Sequence, residues 1–483
     1  MRALLRVLLM ALSGFAGTAS AQSPDAAQQV DQALAALQPA FQIAGRDYPA
    51  QSLAELMRER NVPGVSIAVF RDGRIVYARG FGLAETGGDR PVTPETLFQA
   101  ASISKPLAAT AALALVEQER LQLDEPVNSR LRSWQIPDSP AAEGEPVTLR
   151  RLLSHTAGLT VHGFPGYPAG TPQPTLVQVL DGTTPANTAA VRIDQKPGSA
   201  WRYSGGGFTV AQLLMGDVTG EAFPDLMRRL VLAPAGMAHS TFTQPLPDER
   251  AQGAALGHRL NGLAIAGGYH VYPEMAAAGL WTTPSDLARW ALAISADFTG
   301  SRGGLLRQET ALAMLTPGIG NFGLGIEVGG KGEWLRIGHG GANEGYRASL
   351  IAYPRRGDGI VIMTNSDSGD RLFGPVNIAV AKALGWPGWE PQTVVPVAVP
   401  EQALADAAGR YAGFGQSLEV RPNGQALRVT IANGPPPGDI FPLGNDLYVA
   451  EDGTPIRFVR DASGRVTGLA VRGATLQRVG DAP

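Results

Sequence analysis

The stretch PQTVVPVAVP, residues 391–400, does most to limit what this chain can fold into. Three prolines in ten residues, with no helical period, describe an extended linker rather than the inside of a helix or a central strand. The chain differs in character on its two sides. Upstream, helix-period and strand-period segments are mixed. Downstream, SLEVRPNGQALRVTI and PIRFVRDASGRVTGLAV alternate apolar and polar residues around Asn-Gly and Ser-Gly turns, the pattern of a small all-β unit. The reading is a mixed body at 50–388, a linker at 389–403 and a small β-barrel-like domain at 404–483.

Two segments precede the body. Residues 1–21 read as a secretory signal peptide: Arg2 and Arg6, then the short apolar core LLMALSGFAG, then the small-residue site Ala19-Ser20-Ala21. Residues 22–49 form a polar lead-in with one weak helix in VDQALAALQPAFQ. No later stretch is apolar for long enough to span a membrane once the signal is cleaved. A bacterial periplasmic or extracellular location is therefore expected. The chain has no cysteine, which excludes disulfides, thiolate metal sites and a lipobox anchor. A net charge of -3, with no lysine or arginine block, argues against nucleic acid as a partner.

Within the body, GVSIAVFRDGRIVYARGFG predicts a hairpin turning at Asp72-Gly73. A long helix is predicted from about Ser102 to Glu119. Thr148 is expected to cap a helix over VTLRRLL, and Thr283, followed by Pro284 and Asp286, to cap DLARWALAI. YRASLIAYPRRGDGIVIMTNS reads as two strands around a Gly-Asp-Gly turn.

The chemistry points to ASISKPLAATAALAL. Residues three apart share a helix face, so Ser102 lies beside Lys105 and Ser104 does not. A serine hydroxyl needs a base to take its proton, and an amine buried among apolar residues can be neutral enough to do so. Only four of the 40 basic residues are lysines, at 105, 196, 331 and 382. Arginine cannot serve as a base near neutral pH, so a lysine at 105 stands out. Two glycine-rich segments follow: Tyr203-Ser204 before Gly205-Gly206-Gly207, and His339-Gly340-Gly341 before a strand pattern. His155, in LLSHTAGL, reads as a turn residue after a helix rather than a general base. The histidines at 162, 239, 258 and 270 show no metal-ligand spacing.

Taken together and in this order, Ser102-x-x-Lys105, Tyr203-Ser204-Gly205 and His339-Gly340-Gly341 resemble the motifs of the serine β-lactamase and penicillin-binding-protein superfamily, in its class C-like branch. LLSHTAGL at 152–159, LDEPV at 123–127, LAPAGMAHSTF at 232–242 and AAGLWTTPSDLARW at 277–290 also resemble it. The resemblance spans roughly residues 50–385, and the C-terminal domain is similar to lipocalin-like modules carried by some relatives. It implies an antiparallel sheet flanked by helices plus an all-helical subdomain, with the site between them. Ser102 would form an acyl-enzyme. Lys105 and Tyr203 would share the proton work, Tyr203 as the base with its phenolate favoured by the Lys105 cation. The backbone N–H groups of Ser102 and Ala342 would hold the oxyanion. Ser204, Gly205, His339, Gly340, Gly341 and Asn343 would contact substrate. No metal or cofactor is expected.

Two departures from the pattern bear on substrate. Gly205 stands where the family has an amide-binding asparagine, and His339 where it has a lysine that favours a carboxylate. A histidine, partly charged near neutral pH, would hold a carboxylate weakly and pH-dependently, and Asn343 would supply part of the lost amide recognition. An exported serine hydrolase acting on a carboxylic ester or a small D-amino-acid amide is therefore expected. A class C-like β-lactamase and a non-turnover penicillin-binding or sensing protein are the alternatives. Loop 163–182 and the β-domain are expected to shape a site made in the body.

Overall fold

The computed structural model describes residues 25–481, except 302, 414–415, 433–436 and 472. The signal-peptide reading lies outside these residues. The body is built on a six-stranded, fully antiparallel sheet. Its strands are β1 (Gly64–Arg71), β2 (Arg74–Gly82), β3 (Glu327–Gly329), β4 (Arg336–Asn343), β5 (Tyr346–Tyr353) and β6 (Asp358–Thr364), in the spatial order β2-β1-β6-β5-β4-β3. The expected hairpin is β1–β2, turning at Asp72-Gly73. β1 is buried along almost its whole length rather than on alternate residues. Both faces of the sheet are covered, so successive residues enter different cores.

Val65, Ile67 and Val69 join Ile360 and Ile362 in one core, against helices α1 (Ala26–Leu34) and α5 (Asp370–Leu384). Ala68 and Phe70 join Val361 and Met363 in the other, against α2 (Ser104–Glu117) and α4 (Pro284–Thr299). Twelve of the fourteen α2 residues are buried. A helix rich in alanine can be surrounded on all sides, because neighbouring elements approach its backbone closely. Helix α3 (Gly205–Thr219) packs against α2 and begins the second motif.

Helix starts follow the sequence reading. Thr148 caps Leu149–Leu153 by accepting from Arg151 N–H, and Thr283 caps α4 by accepting from Asp286 N–H. The turn between β5 and β6 falls one step earlier than expected. Gly357 N–H reaches the Tyr353 carbonyl, and Asp358 and Gly359 already belong to β6.

The linker is only partly free. Gln392–Val394 pairs in parallel with the lead-in strand Phe41–Ile43. Beyond it, eight strands from Gly409–Gly413 to Ala474–Gly480 close into an antiparallel barrel with its own apolar core. The barrel docks on that strand pair: Val449 packs with Phe41 and Ile43, and Arg46 pairs with Glu451. Among the described residues, those lining the cavity beside the third motif all lie before the barrel.

Candidate active site

Ser102 sits not in α2 itself but in the single 3-10 turn Ala101–Ile103 that leads into it. Ala101 has a φ of 50°, a left-handed conformation costly for a residue with a side chain and one that recurs at functional turns. Pro106 falls in the first turn of α2, where a missing N–H leaves no intrahelical bond unmade. Lys105 Nζ donates to Ser102 Oγ at 3.0 Å and to the Ala277 carbonyl at 2.8 Å. Ser104 points elsewhere, donating to the Ala101 carbonyl and accepting from Leu280 N–H. Ser102, and not Ser104, is therefore the serine beside Lys105, as the helical spacing predicts.

Lys105 is almost wholly buried, and no carboxylate pairs with it among the described residues. Burial pushes its amine down to about 7. Its Nζ lies 4.8 Å from the centroid of the Tyr203 ring. The phenol of Tyr203 reaches Ser102, which favours its ionisation, but burial outweighs that contact and raises the group above its usual value. The expected lowering of Tyr203 by a Lys105 cation is thus absent. The ammonium lies against the ring, and Lys105 itself is the group brought toward neutrality.

His339 also differs from expectation. It is buried, and desolvation with the nearby Lys105 charge pushes it down to about 3, so the ring is neutral near pH 7. Its Nδ1 must carry the proton, because it donates to the Gly340 carbonyl at 2.6 Å. Its Nε2 is buried and unpartnered. A covered, neutral imidazole is no partly charged carboxylate contact.

Three other expected substrate contacts are engaged within the protein. Ser204 caps α3: its Oγ accepts from Gly207 N–H at 2.9 Å and donates to the Thr160 carbonyl at 2.8 Å. Gly205 is buried under loop 160–164, where an added Cβ would meet the Phe164 ring at 2.9 Å. Phe164 thus fills the space in which a side chain at 205 would start. Asn343 spends both amide hydrogens internally, on Gln99 Oε1 at 2.7 Å and the Ala278 carbonyl at 3.0 Å.

The two glycines of the third motif differ. A Cβ on Gly341 would collide with the Ala100 carbonyl, whereas one on Gly340 would meet nothing within 4 Å. Gly341 therefore lets β4 press against the backbone leading to the nucleophile. β3 ends opposite Gly338, so the outer edge of β4 beyond it has no strand partner and packs on the turn carrying Ser102. The strand that carries Ala342 and the turn that carries Ser102, the two expected oxyanion donors, are thus in contact. Beside it lies a cavity of about 460 Å³, lined by Trp201, Phe322, Glu327, Arg336, His339 and Gly340 among others.

Sequence reasoning missed several of these neighbours. Trp201 carries no local signal. Phe164 lies in loop 163–182, expected to shape the site, and Ala277 opens the stretch 277–290, but neither contact is legible before the chain is folded. His155 lies in the expected turn, yet its ring packs on Tyr203 with centroids 4.2 Å apart.

The Beta-lactamase family matches residues 50–385, and the chain belongs to that family. It is similar to the putative penicillin-binding protein PbpX of Bacillus subtilis (strain 168), 27% identical over 69% of this chain and 78% of the relative. It is 34% identical to esterase EstB of Burkholderia gladioli over 40% of this chain and 50% of that protein. Among solved structures, SurE with D-Leu superposes with a TM-score of 0.54 at 27% identity, covering 88% of this chain and 97% of SurE. The chain is a serine hydrolase of the β-lactamase fold. No helix among the described residues is long and apolar enough to cross a membrane.

Proposed function

We propose that this chain is an exported hydrolase that cleaves carboxylic esters or small D-amino-acid amides through an acyl-enzyme on Ser102. The observation that carries this reading is the 3.0 Å contact between Ser102 Oγ and a buried Lys105 that has no counter-ion among the described residues. Neutral Lys105 takes the hydroxyl proton as Oγ attacks the substrate carbonyl carbon. The backbone N–H groups of Ser102 and Ala342 take up the charge on the carbonyl oxygen. As the tetrahedral intermediate collapses, the C–O or C–N bond breaks. The leaving oxygen or nitrogen takes back a proton from Lys105, relayed by the Tyr203 phenol. Water then attacks the acyl carbon, giving its proton to the same pair, and the acid departs as Ser102 regains its hydrogen.

Two features support an ester or D-amide over a β-lactam. No lysine stands at position 339 to hold a carboxylate, and Phe164 fills the space beside Gly205. The names of two relatives, an esterase and a protein solved with D-Leu, support the same choice.

Parallel hydrolysis of a short-chain nitrophenyl ester and a chromogenic cephalosporin by wild type and Ser102→Ala tests this reading. Ester turnover lost in the variant, by roughly 10³-fold or more, with little cephalosporin turnover, is expected. Efficient cephalosporin hydrolysis would assign the chain to the β-lactamases instead. Activity unchanged in Ser102→Ala would remove the nucleophile. Export predicts a mature N-terminus at Gln22.

A further inference from the structure

We infer that His155 is the positioning residue for Tyr203, holding the phenol against Ser102 through two backbone contacts and a ring contact. Its carbonyl accepts from Arg202 N–H at 2.8 Å, and its Nδ1 accepts from Ser204 N–H at 3.1 Å. The residues on either side of Tyr203 are thus both tied to residue 155. Between these ties the imidazole packs on the tyrosine ring at 4.2 Å, while His162 covers another part of that ring at 4.9 Å. Phe208 and Phe322 close around His155 at 5.3 and 4.8 Å.

The chemistry of the ring fits this role and no role as a base. Because Nδ1 accepts, the proton of the neutral ring is on Nε2. That atom is buried without a polar partner, so a second proton would place a cation in an apolar cage. Burial opposes that state most, and any positive charge on the nearby Lys105 opposes it further. His155 also holds a φ of 58°, unfavourable for most residues with a side chain. A strained backbone and an unpartnered buried nitrogen are both accepted where a less costly turn residue would leave Tyr203 held by fewer contacts.

The inference rests on the proposed role of Tyr203, and a double-mutant cycle separates the two. His155→Phe keeps an aromatic ring but removes the acceptor for Ser204 N–H. It is expected to lower kcat for the nitrophenyl ester by roughly 10–100-fold with little change in KM. In a Tyr203→Phe background the same substitution is expected to cost less than about threefold, because nothing remains to be positioned. His155→Asn restores a side-chain acceptor and tolerates the left-handed backbone, so it should recover part of the loss and serve where His155→Phe folds poorly. Equal losses in both backgrounds would overturn the inference and leave His155 a fold-stabilising residue. Full activity in Tyr203→Phe itself would overturn the role of the tyrosine, and the positioning claim with it.

Discussion

The C-terminal barrel and the start of helix α2 treat their cations in opposite ways. In the barrel, Arg428 forms a two-pronged bond with Asp439 at 2.8 and 3.0 Å, and Arg460 does the same with Asp446 at 2.8 and 2.9 Å. The Arg428 guanidinium holds the Asp439 carboxyl below the usual carboxylate range, so both partners stay charged. At the start of α2, Lys105 receives only a hydroxyl and a carbonyl as acceptors. Neither neutralises an ammonium, so burial brings the amine toward neutrality instead. A charge that only has to stay in place is given a counter-charge. A group proposed to exchange a proton near pH 7 has none among the described residues.

The largest effect that would test this contrast is at Lys105. Lys105→Met is expected to lower kcat/KM for a nitrophenyl ester by roughly 10²–10⁴-fold, the usual contribution of a positioned base. The same chemistry fixes the sign of the pH dependence. The base form is the neutral amine, so wild-type kcat/KM should rise with pH through about 7, where burial places this group. Lys105→Arg should not rescue, since a guanidinium keeps its proton. A rate flat from about pH 6 to about pH 8 would break the comparison by showing that Lys105 does not titrate in the rate-limiting step.

A smaller effect is expected at Gly341, where an added Cβ would push β4 away from the backbone before Ser102. Gly341→Ala should lower kcat roughly 10-fold or more, whereas Gly340→Ala, opening onto free space, should cost less. Equal losses would mean that close approach of the strand is not what the motif requires.

The smallest effect is expected in the barrel. Asp439→Ala removes the carboxylate that accepts from Arg428 and Asn423 and should lower the melting temperature by a few degrees. The pH midpoint of ester hydrolysis should not move. A moved midpoint would show that the barrel's charges reach the site, against the contacts that dock it on residues 41–46.

Much of this could be read along the chain because it depends on short spacing. Ser102 and Lys105 are three residues apart, Thr148 and Thr283 each stand one residue before a helix, and the barrel's alternating strands follow the linker closely. What spacing does not reveal is partners far away in sequence. Ser204 donates to the Thr160 carbonyl and Asn343 to Gln99, bonds that no local pattern announces. The lead-in strand Phe41–Ile43 pairs with residues roughly 350 positions later, and three residues carry too little pattern to announce it.

The sequence by itself determined which groups share a helix face and which residues start and stop the elements, because backbone geometry sets those relations within a few residues. It therefore placed Ser102 beside Lys105. Only the tertiary structure decided their protonation. The pKa of an amine, a phenol or an imidazole depends on how completely water is excluded and on which charges remain nearby. That enclosure is assembled from α2, α3, β4 and the segment around Ala277, elements brought together from across the length of the body.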